Sequence, residues 1–564
     1  MSQVNVDRAS QPPGEAANNH QQRSTFVWPG FLKKLHPYRT VVLGVLCFVL
    51  ALGLNLYRLG APSIWFDEAF SVELARQPLA ALWPLIFGRE PNMELYYLFL
   101  HFWLQLTASL GLYPTEFVVR FPSAVFAAAS SVVIFVLGRR FLGTKGGVLA
   151  AALYLLNDLQ LIYAQQTRSY SLQLLLTCCA WLALLMALNE PAQRSRLWWI
   201  GYVVANVLAI YAHLYSLLIV LGQCVAFGGL LLLPTQWREQ ARQRFWWFVV
   251  SMCITGVLII PMLLVSVQGA KTGWLPVPHV ADIVYFFLVF SGYSKPYLLA
   301  VAGCGLLGVV VVALSCYVWR SRRDTRDETR AIIDERRWQP LQDARAFLPL
   351  AWMLVCWFVV PFVVSYVISQ GATRLFSSRY LVALVPPIML LAGLCLVVLR
   401  WRVVQVVLAL VLLALAVKAV PFYYKTAQVE NWNTAVHWLE QRYQTGDGLV
   451  CYDNTINGSV KQGCQIAVEY YLQAYPGAAH FTADSPGAFS WQTYSAPDPE
   501  AAIRPQDLVR YGATHKRIFL IIGRVHDDAA AQRVRTTLQW LQSHEHLVDQ
   551  VSTRTVNVYV FNMG

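Results

Sequence analysis

Two adjacent carboxylates near the start of the chain are the residues best suited to do chemistry. Asp67 and Glu68 directly follow the aromatic pair Trp65 and Phe66, a few residues beyond the first apolar run. Burial raises the pKa of a carboxyl group and a nearby cation lowers it, so such a pair can be tuned to act as a general base. The same residues also suit a helix start, with Asp67 as N-cap and Glu68 favourable to the helix dipole.

Basic residues that could hold an anionic group stand near the ends of later apolar runs. Arginine can bind a phosphate through two N–H groups at once, and lysine can bind it as a point charge. The candidates are Arg120, Arg168, Lys271 and Arg379. His213 lies between two apolar runs, where a structural and a functional role are about equally expected.

The segments that must position these residues are mostly membrane helices. The chain has 564 residues, of which 57% are hydrophobic and 13% are charged, about half the charged share of an average soluble protein. This composition excludes a disordered chain, a small disulfide scaffold and an ordinary soluble enzyme. Crossing the hydrocarbon core takes about 20 apolar residues. Runs near that length occupy 41–57, 118–138, 146–163, 169–188, 198–214, 215–233, 245–267, 297–319, 348–368, 380–399 and 402–422.

Lys and Arg are distributed unevenly between alternate loops. Loops 139–145, 189–197, 234–245, 320–347 and 400–402 hold 18 of them, and the alternate loops after residue 163 hold five. Because basic loops stay in the cytoplasm, the N-terminus is predicted inside and the candidate residues outside. The parity of crossings then requires the shorter run 94–110 not to cross. The net charge of +13 reflects this topology and not nucleic-acid binding.

Three regions follow along the chain. Residues 1–30 are predicted to be a disordered cytoplasmic tail, 31–427 a polytopic α-helical domain of about 11 to 13 transmembrane helices with first outer loop 58–117, and 428–564 an extracytoplasmic soluble α/β domain. The tail pattern predicts helices at 431–444, 465–475 and 528–544 and strands at 448–453, 517–522 and 555–561. Of the eleven cysteines, Cys451 and Cys464 lie in this region, and a disulfide between them is favoured.

The string Trp65–Ser71 resembles the Asp-Glu motif of C-type (GT-C) glycosyltransferases. It is most similar to glycosyltransferase family 39, with its protein O-mannosyltransferase and aminoarabinose-transferase relatives. Five later segments resemble further elements of that family in the same order: 90–97, 116–123, 163–170, 211–215 and 378–387. The match is collinear over residues 40–400, whereas the tail domain matches only loosely.

The resemblance implies a GT-C fold and an integral-membrane glycosyltransferase of the bacterial cytoplasmic membrane. It implies a polyprenyl-phosphate sugar donor, used on the outer face, and a lipid, polysaccharide or protein acceptor. Asp67 would be the general base of an inverting transfer, and Glu68 would position the acceptor or a cation. Arg379 is the first candidate to hold the donor phosphate, followed by Arg168, Arg120 and Lys271. The acceptor and sugar pocket would include Glu90, Asn92, Glu94, Tyr97, Gln165, Tyr170, His213 and Tyr215.

Two departures from the family pattern put a metal-dependent or a protein-specific version of the activity in doubt. Gln166 stands where many relatives have an acidic residue, and Glu90 with Glu94 replace a His-Pro pair. The i, i+4 spacing of the two glutamates could place both on one helix face suited to a divalent cation, or could give a solvated face interrupted by Pro91. Asp158 could supply a replacement carboxylate or be a polar residue solvated at a helix end. No other cofactor is expected.

A secondary transporter or flippase for a lipid or sugar is the competing hypothesis, and a receptor with purely structural carboxylates is a third. Transporters commonly have internal repeats and broken helices with ionisable groups at mid-membrane. No repeat relates the two halves of this sequence, and its polar candidates share one predicted face. The pattern therefore favours chemistry at one membrane surface.

The charge distribution predicts opposite labelling of two introduced cysteines. Lys145→Cys should react with a membrane-impermeant maleimide only from the cytoplasmic side, and Gln166→Cys only from the outside, because basic loops remain in the cytoplasm. Intact cells and inverted vesicles separate the two sides, and the unsubstituted chain controls for native cysteines. Labelling of position 166 from the cytoplasm would contradict the topology.

Overall fold

The structure is a computed structural model that describes residues 38–90, 92–235, 237–266, 272, 275–324, 344–452, 463–472, 479–494, 503–525 and 528–564. Of the described residues, 38–43 belong to one unit, and those from Gly44 onward belong to a second unit that contains the candidate site. The predicted tail 1–30 and the candidate Lys271 lie outside the described residues.

Helices dominate the chain up to residue 426, because backbone N–H and C=O groups in a bilayer must pair within the protein. Among the described residues, eight helices are long and apolar enough to cross a membrane, or nine if the bent pair Ser216–Leu232 and Trp237–Gln243 is one span. The helices are Arg39–Leu56, Phe66–Arg76, Leu79–Pro84, Glu94–Ser109, Glu116–Leu155, Asp158–Ala164, Tyr170–Asn189, Ala192–Ala212, Ser216–Leu232, Trp237–Gln243, Phe245–Ser266, Val280–Phe290, Lys295–Asp324, Leu348–Ile368, Ser378–Leu381, Val385–Val398 and Arg402–Thr426, with a π-helix at Leu85–Arg89 and a 3-10 helix at Val382–Leu384.

The helix Glu116–Leu155 combines two of the predicted runs. Its 40 residues include Gly143 with φ 80°, a backbone conformation that breaks the helix. A Cβ added to Gly138 would lie 2.6 Å from the Cα of Gly147, although the two would stand about 13 Å apart in a straight helix. The two halves therefore fold back on each other around the basic segment 139–145. This is one reason why the eight spans counted among the described residues are fewer than the 11 to 13 transmembrane helices predicted from the sequence.

The helix Glu94–Ser109 corresponds to the shorter run 94–110, which the parity of crossings requires not to cross. Its 16 residues fall below the length that a ~30 Å core requires. It lies instead beside the helix Phe66–Arg76, and His101 Nδ1 is 2.7 Å from the Ala75 carbonyl oxygen. The loop 58–117 is thus a packed helical layer that carries the Asp-Glu pair.

The tail region is a four-stranded sheet with helices, confirming the predicted α/β type. The strands are β1 (Gly448–Tyr452), β2 (Arg517–Gly523), β3 (His546–Ser552) and β4 (Val556–Asn562), in the order β1-β2-β4-β3, with β1 parallel to β2 and the other pairs antiparallel. Sequence reasoning missed β3, whose residues are largely exposed at the sheet edge and so lack an apolar alternation. The helices are Trp432–Glu440, Gly463–Leu472, Pro505–Gly512 and Asp528–His544.

One hydrophobic core joins the tail domain to the loop 58–117. Ile64 and Phe70 of the loop share it with Trp432, Val468 and Phe519 of the tail domain. The predicted disulfide, Cys451–Cys464, is present and ties β1 to the helix Gly463–Leu472 within this core. The loop and the tail domain therefore lie on the same side of the membrane helices.

Candidate active site

The helix Phe66–Arg76 gives its two adjacent carboxylates opposite environments. Successive residues of a helix point about 100° apart, so Glu68 is fully buried, whereas the Asp67 side chain is 18% exposed. The N-cap is Trp65, which makes no side-chain capping bond. The alternative in which Asp67 caps the helix is therefore wrong, since Asp67 lies inside the first turn.

Glu68 is neutralised by a bidentate pair with Arg120. Arg120 donates from Nε and Nη2 to the two carboxylate oxygens at 2.8 and 2.7 Å, and the Thr167 N–H donates to Oε1 at 2.8 Å. The remaining Arg120 N–H groups donate to backbone carbonyls, those of Leu59, Pro62 and Ser63. All five donors of the guanidinium are thus used inside the chain.

This geometry corrects the roles predicted for Arg120 and Glu68. Arg120 has no N–H group left for a donor phosphate, and Glu68 has no solvent-exposed oxygen for an acceptor or a cation. Instead, the pair fixes the segment 59–63 and the start of the helix Glu116–Leu155 to the helix that carries Asp67. Both residues act on the site by positioning it.

Asp67 pairs with arginines that come from distant parts of the sequence. Arg379 Nη1 donates to Asp67 Oδ2 at 2.9 Å across a separation of 312 residues. Arg168 Nη1 donates to the Asp67 carbonyl at 3.1 Å and to Ser71 Oγ at 2.9 Å. Arg379 precedes the helix Val385–Val398 and Arg168 precedes the helix Tyr170–Asn189, so the starts of two membrane helices meet at Asp67, one at its carboxylate and one at its backbone carbonyl.

The charge of Asp67 is set by two opposing effects. Burial on its own raises the pKa of this carboxyl, but the positive charges of Arg168, Arg379 and Arg524 and the hydrogen bond from Arg379 bring the pKa below its ordinary value. Asp67 is therefore ionised at neutral pH. An ionised carboxylate with an exposed edge can accept a proton from a hydroxyl group.

His213 lies in the same cluster with one ring nitrogen unpaired. Its ring centroid is 4.9 Å from that of Tyr380 and 5.5 Å from that of Tyr170. Nδ1 accepts the Tyr215 N–H at 3.1 Å, so the neutral ring carries its proton on Nε2. Burial, Arg168 and Arg379 lower the pKa of His213 to about 3. Nε2 is buried without a hydrogen-bond partner among the described residues, as is Nε of Arg168, and an oxygen ligand would satisfy both.

Two of the predicted pocket residues hold helices together instead. Gln165 donates from Nε2 to the carbonyls of Asn55 and Tyr57 and accepts the Tyr423 hydroxyl at Oε1. The Tyr215 hydroxyl donates to the Pro361 carbonyl. Neither polar group is directed to the Asp67 cluster, and both predicted pocket roles are corrected to structural ones. Tyr97 and Tyr170 do lie near Arg168, whose Cζ is 5.9 Å from the Tyr170 ring centroid.

Glu90 and Glu94 do not share a helix face, contrary to one of the two predicted alternatives. Glu90 has non-helical backbone angles and accepts the Tyr494 hydroxyl, whereas Glu94 begins the following helix and is 1% exposed. Burial raises the pKa of Glu94 to about 8, so its carboxyl is largely protonated at pH 7.

Within the described ranges, no group of three or more His, Cys, Asp or Glu residues is arranged to hold a metal ion. The Asn92 N–H donates to the Glu90 carbonyl at 2.8 Å.

The tail domain contributes residues that sequence reasoning missed. Glu430 Oε2 accepts the backbone N–H of Phe66 at 3.0 Å. Arg524 lies over the Phe66 ring, with its Cζ 3.9 Å from the centroid, and Tyr494 binds Glu90 as described. Only their charge or polarity distinguishes these residues in the sequence, because no periodic pattern places tail residues against the loop.

No family model matches the chain, and no curated protein matches it by sequence. Solved structures match its fold. ArnT from Cupriavidus metallidurans bound to undecaprenyl phosphate has a TM-score of 0.55 at 14% identity, covering 92% of this chain and 97% of that one. Its apo form has a TM-score of 0.56 at 13% identity with the same coverage. The oligosaccharyltransferase AglB from Archaeoglobus fulgidus, in complex with an inhibitory peptide and a dolichol-phosphate, has a TM-score of 0.50 at 10% identity, covering 93% and 74%. The chain has the GT-C fold, as the motifs predicted.

Removing Arg120 should destabilise the fold strongly. Arg120→Leu leaves the buried Glu68 carboxylate without its guanidinium, and we expect the free energy of unfolding to fall by about 3 to 5 kcal/mol. Denaturant unfolding of the full chain in detergent measures this change. Arg140→Leu is the matched control, because its pair with Glu190 is half exposed on the arginine side and should contribute less than about 1 kcal/mol. Equal losses in the two variants would contradict the role of the buried pair.

Proposed function

We propose that this chain is an integral-membrane glycosyltransferase that moves a sugar from a polyprenyl-phosphate donor to an acceptor hydroxyl, with inversion at the anomeric carbon. The observation that carries the proposal is the Asp67–Arg379 ion pair, 2.9 Å long, with Arg168 beside it. It combines a group that can take a proton with two groups that can hold a phosphate. The shared fold with a protein bound to undecaprenyl phosphate supports a lipid-phosphate donor.

The donor phosphate binds to Arg379 and Arg168 in this proposal. Their guanidinium groups supply the positive charge, and the unpaired Nε of Arg168 and Nε2 of His213 supply buried N–H donors. Fixed donors of this kind stabilise the charge that builds on the phosphate as the bond to the sugar breaks. Lys271 keeps its predicted phosphate role as part of the proposal, although it lies outside the described residues.

Binding of the donor also activates the base. In the free protein, Arg379 holds Asp67 ionised but weakly basic, because its positive charge lowers the carboxyl pKa. A bound phosphate competes with Asp67 for Arg379 and offsets that positive charge. The carboxylate is then released from the ion pair and becomes more basic in the presence of the donor. The proposal therefore includes an ordered reaction in which the donor binds before proton transfer.

The transfer itself is a single displacement. The acceptor oxygen attacks the anomeric carbon as the bond from that carbon to the phosphate oxygen breaks, and the bonding electrons leave with the polyprenyl phosphate. The acceptor proton passes to an oxygen of the Asp67 carboxylate. Glu90, Glu94, Tyr97 and Tyr170 remain the proposed lining of the sugar and acceptor pocket, and a divalent cation is given no step.

The proposed location is the bacterial cytoplasmic membrane, with the site and the tail domain on its outer face. The Lys and Arg bias of the alternate loops supports this orientation. The contact of Glu430 with Phe66 supports one common face for the tail domain and the Asp-Glu helix, because a hydrogen bond joins them directly. The acceptor, whether lipid, polysaccharide or protein, must then be present on that face.

A transfer assay tests the proposal. Purified full chain is incubated with radiolabelled polyprenyl-phosphate sugars, each donor separately, and with membrane, polysaccharide and protein acceptor fractions. We expect transfer from at least one donor, and a loss of about 100-fold to 10,000-fold in rate for Asp67→Asn, because the variant has no general base.

Asp549→Asn is the matched control, since this exposed carboxylate lies in β3, away from the loop, and should transfer at the wild-type rate. Full activity of Asp67→Asn would remove Asp67 from the base role. Absence of transfer from every donor by the wild-type chain would contradict the glycosyltransferase proposal itself.

A further inference from the structure

Arg524 occupies an unusual position at the end of strand β2. It directly follows Gly523 and has φ 60°, in the left-handed region that arginine rarely adopts. Its Cζ is 3.9 Å from the centroid of the Phe66 ring, and its Nε is 3.4 Å from Glu430 Oε1. A non-glycine residue persists in such a conformation only where its surroundings determine it. Here those surroundings are the Phe66 ring and Glu430, both of which lie beside Asp67.

Glu430 links Arg524 to the start of the Asp67 helix. Its second oxygen, Oε2, accepts the Phe66 backbone N–H at 3.0 Å and the indole N–H of Trp432. The first N–H groups of a helix have no partner within the helix and need an acceptor from outside. A carboxylate of the tail domain therefore supplies the acceptor at the N-terminus of the helix Phe66–Arg76, one residue before Asp67, in place of a side-chain cap from Trp65.

We infer that Arg524 and Glu430 form a clamp by which the tail domain positions the base Asp67. Arg524 holds the Phe66 ring by stacking and holds Glu430 by charge, and Glu430 holds the Phe66 N–H. Arg524 touches no reacting atom, so it is a positioning residue and not a catalytic one. The inference rests on the proposed function in which Asp67 is the base.

The clamp also has an electrostatic effect on Asp67. Arg524 is one of the three cations that lower the pKa of that carboxyl. A residue that only attached the tail domain to the loop would affect stability without changing how Asp67 titrates. The clamp predicts both a local change at Phe66 and a change in the pH dependence of transfer.

The test uses the full chain in lipid nanodiscs as wild type, Arg524→Ala and Arg524→Lys. Arg510→Ala is the control, because Arg510 is an exposed arginine of the same domain. Hydrogen–deuterium exchange resolved at the Phe66 amide reports the clamp without any substrate. The pH dependence of kcat/KM, measured with the donor active in the transfer assay, reports the titration of Asp67.

We expect Arg524→Ala to exchange the Phe66 amide about tenfold faster, since Glu430 loses its partner and holds the N–H less well. The acid limb of its pH profile should move to higher pH, because loss of a positive charge makes Asp67 easier to protonate. Arg524→Lys should keep the acid limb in place and lower the rate through weaker stacking. Arg510→Ala should match the wild type in both measurements.

Wild-type exchange at Phe66 in Arg524→Ala would overturn the clamp. Faster exchange with an unchanged acid limb would also overturn it, by showing an anchor that does not act on Asp67. If the wild-type chain transfers no sugar, the proposed function fails, and the exchange measurement still decides whether Arg524 and Glu430 hold the start of the helix.

Discussion

The ion pair of Asp67 and Arg379 is the interaction on which the site depends. Both side chains are about one-fifth exposed, so the pair is desolvated enough to be strong and open enough to meet a ligand. Burial alone would raise the pKa of an unpaired carboxylate in this position. Arginine at 2.9 Å keeps it charged, and in the proposed reaction the same guanidinium binds the donor phosphate. The state of the pair therefore couples the base to the donor in the proposed reaction.

The neighbouring charged residues keep the Asp67–Arg379 pair in place because they neutralise each other. Glu68 and Arg120 satisfy each other within the wall of the site, and the remaining arginine donors bind backbone carbonyls. Because a buried charge without a partner is costly, this arrangement holds the loop 58–117 in one position against the membrane helices. The tail domain holds the start of the same helix through Glu430, which accepts the Phe66 N–H, and the segment before it through the Tyr471 hydroxyl, which accepts the Ile64 N–H. Two adjacent carboxylates in the sequence thus have different functions, one structural and one available to a ligand.

Sequence reasoning predicted the fold because apolar runs and motif order leave patterns in the sequence, and the structure brings the predicted Asp67, Arg168 and Arg379 together. The apolar runs and their basic loops indicated the membrane domain, and the motif order indicated the GT-C fold. The roles of Arg120, Gln165 and Tyr215 were misassigned, since the spacing of polar residues does not reveal which partners satisfy them. Arg524 and Glu430 were missed because the tail domain reaches the loop through tertiary packing, which no local pattern encodes. The edge strand β3 was missed for the related reason that an exposed strand needs no alternation of apolar residues.

The affinity for undecaprenyl phosphate tests the competition at Arg379 most directly. If Asp67 and a phosphate share this guanidinium, Asp67→Asn should bind undecaprenyl phosphate more tightly than the wild type, by about fivefold to tenfold, because a repelling charge is gone and Arg379 is released. Arg379→Gln should bind it more weakly. Unchanged or weaker binding by Asp67→Asn would contradict the account.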